Sequence, residues 1–221
     1  MTNTVVVTGA NRGIGLAFCR HYHARGWQVY AVCRNSSAEL GVLGVEVVAG
    51  VDVAREDDVQ RLSQQLKGQT IDVLINNAGI LRDERLGKLD FDAIQAQFET
   101  NALAPLRVTE ALQENLGSGS KIANITSRMG SVADNTSGGR YGYRMSKAAL
   151  NIASVSLARD LAPKGIAVAI LHPGLVATDM IGGYGDITPE QAAERLIARI
   201  DDLTLETSGT FWHSNGEVLP W

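Results

Sequence analysis

Cysteine is nearly absent: only Cys19 and Cys33 occur in 221 residues. Two thiols cannot build a disulfide framework, so a reducing compartment is expected. Runs of like charge are also missing, and the formal net charge is −4. A nucleic-acid surface needs clustered Lys and Arg, so that class of partner is excluded. No apolar stretch approaches the roughly 20 residues that span a bilayer, and no membrane role is expected. The strand-like run Val5-Val6-Val7 starts almost at the first residue, so no signal peptide is expected. The expected location is the cytoplasm. Without a Pro/Ser-rich linker, an internal repeat or a low-complexity stretch, one domain over residues 1–221 is expected.

Hydrophobic residues make up 45% of the chain and charged residues 20%, enough apolar material for a sizeable core. Apolar runs of strand length recur at Thr4–Thr8, Gln28–Cys33, Val45–Val48, Ile71–Asn76, Lys121–Thr126 and Ile166–Leu171. Their near-continuous Val and Ile content predicts parallel strands covered on both faces. Between them, segments of helical period fall at Ile14–Arg25, Glu56–Leu66, Asp90–Leu116, Met145–Leu161 and Pro189–Ile200. Thr188-Pro189-Glu190-Gln191 has the composition of a capped helix start. A short last strand is expected near Gly209–His213. This alternation predicts an α/β fold, a doubly wound, Rossmann-like parallel sheet in three layers. Ligands of such sheets lie beyond the carboxyl ends of the strands, so chemistry is sought just after each one.

The first strand runs into Thr8-Gly9-Ala10-Asn11-Arg12-Gly13-Ile14-Gly15 and then a helix. Glycines there permit a tight turn and bring backbone N–H groups up to a pyrophosphate at the helix N-terminus. Further marks follow in order. Asp52-Val53 follows the third strand, Asn76-Asn77-Ala78-Gly79 the fourth, and Asn101 lies in the long helix after it. Asn124-Ile125-Thr126-Ser127 ends the fifth strand, Tyr143-Arg144-Met145-Ser146-Lys147 opens the next helix, and Pro173-Gly174 follows the sixth strand. Together they resemble the short-chain dehydrogenase/reductase family over essentially the whole chain. Cys33-Arg34, Ser127-Arg128-Met129-Gly130 and the ending Gly216-Glu217-Val218-Leu219-Pro220-Trp221 resemble its C-factor and sniffer carbonyl reductase subgroup.

The resemblance implies strand order 3-2-1-4-5-6-7 and hydride transfer between NADP(H) and a small-molecule carbonyl or alcohol. Tyr143 is the candidate acid/base on the residues themselves. Lys147, four positions on, shares its helix face and is expected to lower the phenol's pKa, whereas Tyr141 has Met145 at that distance. The family likeness adds Ser127 as a hydrogen-bond donor to the substrate oxygen and Asn101 as the anchor of a relay water. Lys147 also holds the nicotinamide ribose. Where the family usually has Ser-Ser, this chain has Thr126-Ser127, with Ser127 aligned to the second. The implied cofactor-binding set is Gly9, Asn11, Arg12, Gly13, Ile14, Gly15, Arg34, Asp52, Val53, Asn77, Ala78, Gly79, Tyr143, Lys147, Pro173, Gly174 and Thr178.

Family members selective for NADH usually carry an Asp at the end of the second strand. Here Arg34 stands there and no acid does, so NADPH is the expected cofactor, with Arg12 as a second guanidinium for the 2′-phosphate. His21 and His23, two apart on a helix, point in different directions, and no metal site is expected. Cys19 and Cys33 read as small core residues, Trp27 as core filling and His172 as a loop histidine. The segment Ile181–Ile187 is short and glycine-rich where the family often carries a lid, which suggests an open, promiscuous pocket. Apolar residues on more than one face of the helix after Tyr143 predict a homo-oligomer, a dimer. A dinucleotide-binding signalling protein of the C-factor type is the alternative function. Relatives of that kind often lose the tyrosine or lysine, and this chain keeps both.

Overall fold

Val5, Val6 and Val7 explain the layering. All three are fully buried, yet Val5 and Val7 join one hydrophobic cluster and Val6 another. Side chains alternate sides along a strand, so a run buried throughout needs a helical layer on each face. Each such valine contributes roughly 1.5–3 kcal/mol of burial.

The computed structural model describes residues 2–221. Its strands are β1 (Thr4–Thr8), β2 (Gln28–Val32), β3 (Glu46–Val48), β4 (Ile71–Asn76), β5 (Leu116–Ile125), β6 (Ala167–His172) and β7 (Phe211–His213). They form one parallel seven-stranded sheet in the order β3-β2-β1-β4-β5-β6-β7. That is the order and the α/β class expected. The helices are α1 (Gly13–Ala24), α2 (Ala38–Gly41), α3 (Glu56–Gln65), α4 (Phe91–Phe98), α5 (Ala104–Ala111), α6 (Tyr141–Leu161) and α7 (Pro189–Asp201). Residues of α1 and α7 pack on the face holding Val5 and Val7. Residues of α3, α5 and α6 cover the face holding Val6. Between β1 and β4 the chain order reverses, and the cleft beyond the strands opens there.

Thr188 and Gln191 form the reciprocal cap read from the sequence, with N–H···O distances of 3.2 and 3.0 Å. The expected helix over Asp90–Leu116 is instead broken. After α4 the backbone widens into a π-helical turn at Glu99–Leu103, α5 follows, and a 3₁₀ turn at Gln113–Asn115 leads into β5. Pro105 has no N–H for the carbonyl of Asn101, so a regular α-helical bond is impossible at that point. The lost ladder bond lies where Asn101 enters the site. α2 was not legible in the sequence, and α6 starts four residues before its apolar periodicity does. Among the described residues no helix is long and apolar enough to cross a membrane, and no cluster of metal-ligating side chains occurs.

Candidate active site

Close packing shapes the glycine loop between β1 and α1. Gly9 has φ +66°, and a Cβ there would lie 2.8 Å from the Ala78 Cα. A Cβ on Gly15 would lie 2.2 Å from the Gly9 carbonyl oxygen, so only glycine lets α1 start this near the turn. The loop is held from below by Asn77. Its Nδ2 donates to the carbonyls of Thr8 (3.0 Å) and Gly9 (3.3 Å). The N–H groups of Asn77 and Ala78 donate to the Thr8 hydroxyl. No side chain caps α1 at Arg12 and no acid stands in its first turn, so its leading N–H groups face an anion freely. Asn11, Gly13 and Ile14 line this cradle half-buried. Its shape and polarity fit a pyrophosphate.

Around the cradle lie the other residues singled out above. Thr178 leans over it, its Cγ2 3.4 Å from where a Gly13 Cβ would be. Gly174, at φ +95°, turns the chain after Pro173 and β6. Val53 is buried beside Thr8 and Ala78, while Asp52 caps the Ala54 N–H at 3.0 Å. The two arginines lean on separate acids. Arg34 lies 3.9 Å from Asp52, and Arg12 lies 3.4 Å from Asp179.

Tyr143, Ser127 and Lys147 converge. Tyr143 stands in the first turn of α6 and Ser127 just after β5, and both side chains are buried. Burial pushes the Tyr143 phenol above its ordinary pKa, opposed by a hydrogen bond with Ser127 and by the charge of Arg140. The expectation that Lys147 governs this phenol is corrected. Its Nζ lies 5.8 Å from the ring centroid and donates to the Ile125 carbonyl at 2.9 Å. Desolvation pushes Lys147 itself down to about 8. Gly79 sits close to two groups of the site: a Cβ there would lie a tight 3.2 Å from Asn101 Oδ1 and an ordinary 3.7 Å from Lys147 Nζ.

The side chain of Asn101 is fully engaged. Its Oδ1 accepts from the Ile80 N–H (2.8 Å), and its Nδ2 donates to the Ile80 carbonyl (2.8 Å) and the Ser146 hydroxyl (3.0 Å). It therefore clamps the loop after β4 against α6. Any role toward a water falls to its backbone carbonyl.

The family model for short chain dehydrogenases matches residues 3–200. The chain belongs to that family. A 1-hydroxy-2-glutathionyl-2-methyl-3-butene dehydrogenase of Rhodococcus sp. (strain AD45) is 45% identical, with 99% of this chain and 100% of that protein covered. The C-signal protein of Myxococcus xanthus is 46% identical over 68% of this chain and 93% of its own length. An NADPH-bound carbonyl reductase from chicken fatty liver superposes with a TM-score of 0.88 at 31% identity, covering 100% of this chain and 99% of that one.

Several groups that build this short-chain dehydrogenase site were given no role from the sequence. Asn124 donates to the Ser154 hydroxyl (2.8 Å), Asn76 donates to Asn124 Oδ1 (2.9 Å), and the Thr126 hydroxyl donates to Asn151 Oδ1 (2.6 Å). These buried pairs fix α6, and with it Tyr143, to β4 and β5. Asn at strand positions that otherwise hold Val or Ile was the available signal. A second set sits behind the start of α6. Gln97 donates to the buried Glu84 carboxylate, which accepts the Gly142 N–H at 3.2 Å. Gly130 is needed too, for a Cβ there would be 2.7 Å from the Lys147 carbonyl carbon.

Cys19 and Cys33 are buried free thiols, with Cys19 pushed up to about 12 by burial. Trp27 packs against Tyr22 with the rings tilted by 60° and their centroids 4.9 Å apart. His172 ends β6 and is not a loop residue. It meets His213 edge to face at 4.9 Å, and burial holds it neutral, at about 3.

Proposed function

We propose that the chain is an NADP-dependent carbonyl reductase, running as an alcohol dehydrogenase in reverse. The observation that carries this is the buried set of Tyr143, Ser127 and Lys147 around the carboxyl end of β5, with Ser127 hydrogen-bonded to the Tyr143 phenol and Lys147 to the Ile125 carbonyl. The NADPH-bound relative supports the choice of cofactor. When bound, the nicotinamide supplies the hydride. The chain's own groups hold the carbonyl and move the proton.

The Ser127 hydroxyl accepts from the Met129 N–H at 3.1 Å, so its own proton is left for the substrate oxygen. Oxygen gains charge as the carbonyl is reduced, and donors fixed in a dry site stabilise it. Tyr143 gives that oxygen its proton. Its raised pKa keeps the phenol protonated at neutral pH, the form that reduction requires. Lys147, whose ammonium is held on the Ile125 carbonyl, would hold the nicotinamide ribose. Pro105 denies the Asn101 carbonyl its α-helical donor, and that oxygen would hold the water through which Tyr143 is reprotonated.

The same reading places the enzyme in the cytoplasm as one domain and as a homodimer, acting on a small carbonyl or alcohol substrate and not on nucleic acid or membrane. The match to C-signal supports a second reading, a signalling role for the same fold. Steady-state NADPH oxidation against aldehydes, ketones and quinones separates the two. Tyr143→Phe should lower turnover roughly 10²–10⁴-fold and leave cofactor affinity nearly intact. A variant that kept more than about a tenth of the activity would remove Tyr143 as the acid.

A further inference from the structure

Between the turn after β5 and the start of α6 lies a hollow of about 410 Å³ whose charge the hydride chemistry does not use. Its charged lining groups are Arg85, Arg140, Arg144 and Asp83, three guanidiniums against one carboxylate. This positive excess stands in a chain whose net charge is −4. Met129 supplies the only large apolar side chain of the lining. Pockets for lipophilic substrates are lined mostly by aliphatic and aromatic groups, and this one is not.

Three of its lining residues are tied to the Tyr143–Ser127 pair. The Met129 N–H bonds to Ser127 Oγ, Arg140 acts on the Tyr143 phenol through its charge, and Arg144 follows Tyr143 in the chain. Arg144 is committed to the wall, with Nε on the Gly139 carbonyl (3.2 Å) and Nη2 on the Ser137 hydroxyl (2.9 Å). Arg140 and Arg85 share the single Asp83, at 3.3 and 3.5 Å. The Nη1 of Arg140 is left against the Met129 sulfur at 3.8 Å, a weak acceptor for a strong donor. The hollow thus offers guanidinium donors in excess of acceptors.

We propose that this hollow is a subsite for a carboxylate borne by the substrate at a distance from its reacting carbonyl, with Arg140 and Arg85 as its binding groups. Planar guanidiniums bind a carboxylate through paired, charge-assisted hydrogen bonds. The proposal rests on the reading that Tyr143 and Ser127 hold the reacting oxygen.

The test compares 4-carboxybenzaldehyde with its neutral methyl ester, methyl 4-formylbenzoate, as substrates of the whole enzyme with NADPH. At low ionic strength the carboxylate should have a kcat/KM about tenfold or more above the ester's. Added salt should shrink that ratio. The ratio should approach one in the Arg85→Gln/Arg140→Gln double variant. Because it is taken within each variant, any effect of Arg140 on Tyr143 cancels. Arg85, whose side chain is 81% exposed, also gives a variant whose folding is not in question. Arg85→Gln alone should cut the ratio about twofold or more. A wild-type ratio near one, or one that survives the substitutions, overturns the subsite and leaves the reductase reading standing. If neither aldehyde is reduced, that reading falls. Calorimetric titration of terephthalate into the NADP⁺-loaded protein then decides the subsite separately. Binding that Arg85→Gln weakens supports it, and absence of binding overturns it.

Discussion

Lys147 carries a cost in the ligand-free protein that its function explains. Buried and bonded only to the Ile125 carbonyl, it falls from an ordinary 10.5 to about 8. Below about 8 it is charged in both folded and unfolded chains, and the folded chain bears the full desolvation penalty. Between about 8 and 10.5 the unfolded chain binds the proton more tightly, so this group makes stability rise with pH. Lys147→Met should therefore raise the Tm of the cofactor-free protein at pH 7, and the advantage should narrow by pH 9.5. Calorimetry at both values checks it, and a difference independent of pH would reject the linkage. Arg34 invites a second measurement. Its pairing with Asp52 at 3.9 Å is loose and exposed, leaving the guanidinium free to turn to a 2′-phosphate. Arg34→Ala should weaken NADPH binding about ten- to a hundredfold and leave NADH nearly unchanged. An equal loss for both cofactors would mean that Arg34 does not read the phosphate. At this scale the sequence showed which types stand at the strand ends, because Tyr143 and Lys147 are four apart on a helix. It did not show depth. The phenol's upward shift comes from burial, opposed by Ser127 and by the charge of Arg140, and none of these is visible in spacing.

Between elements, the contact that decides the site is the one between α6 and the turn after β5. Gly130 in that turn rests directly on the backbone of Lys147 and Ala148. A methyl group there would meet main-chain atoms at 2.7 and 2.9 Å, which cannot rotate aside. Gly130→Ala should lower stability by about 1–3 kcal/mol, the usual range for overpacking, and lower kcat further by moving Ser127 from Tyr143. Gly117→Ala is the control, because nothing lies within 4 Å of its added carbon. Equal Tm values for the two variants would show that the turn yields freely. The strands were legible because a buried parallel strand reads as an unbroken run of Val and Ile. The break at Glu99–Leu103 was not, because apolar residues continue through it at nearly helical spacing. Pro105 was the one local sign, and it falls four residues after Asn101. The polar ties of α6 were hidden for a related reason. Ser146, Asn151 and Ser154 look like solvent-facing positions until the strand asparagines opposite them are known.

At the level of the whole molecule those polar ties leave α6 inverted relative to an ordinary amphipathic helix. Its inward side holds Ser146, Lys147, Asn151 and Ser154, all buried, together with Leu150 and Ala158. Met145 and Ile152 lie seven apart on the side away from the sheet, 53% and 66% exposed. A helix whose inner face is pinned by hydrogen bonds has no need of outward apolar residues for its own packing. A second copy related by a two-fold axis would cover them, since the same patch then serves both partners. The strand order and layering followed from the alternation of runs and from the family likeness, whereas this inversion required the packing of α6 to be seen. The expected result is a particle of twice 23.6 kDa by light scattering at micromolar concentration. Ile152→Lys should shift it toward the monomer, because two such side chains would face each other across the axis without a partner charge. A wild-type mass of 23.6 kDa rejects the dimer outright. A dimer that Ile152→Lys leaves intact moves the interface away from α6.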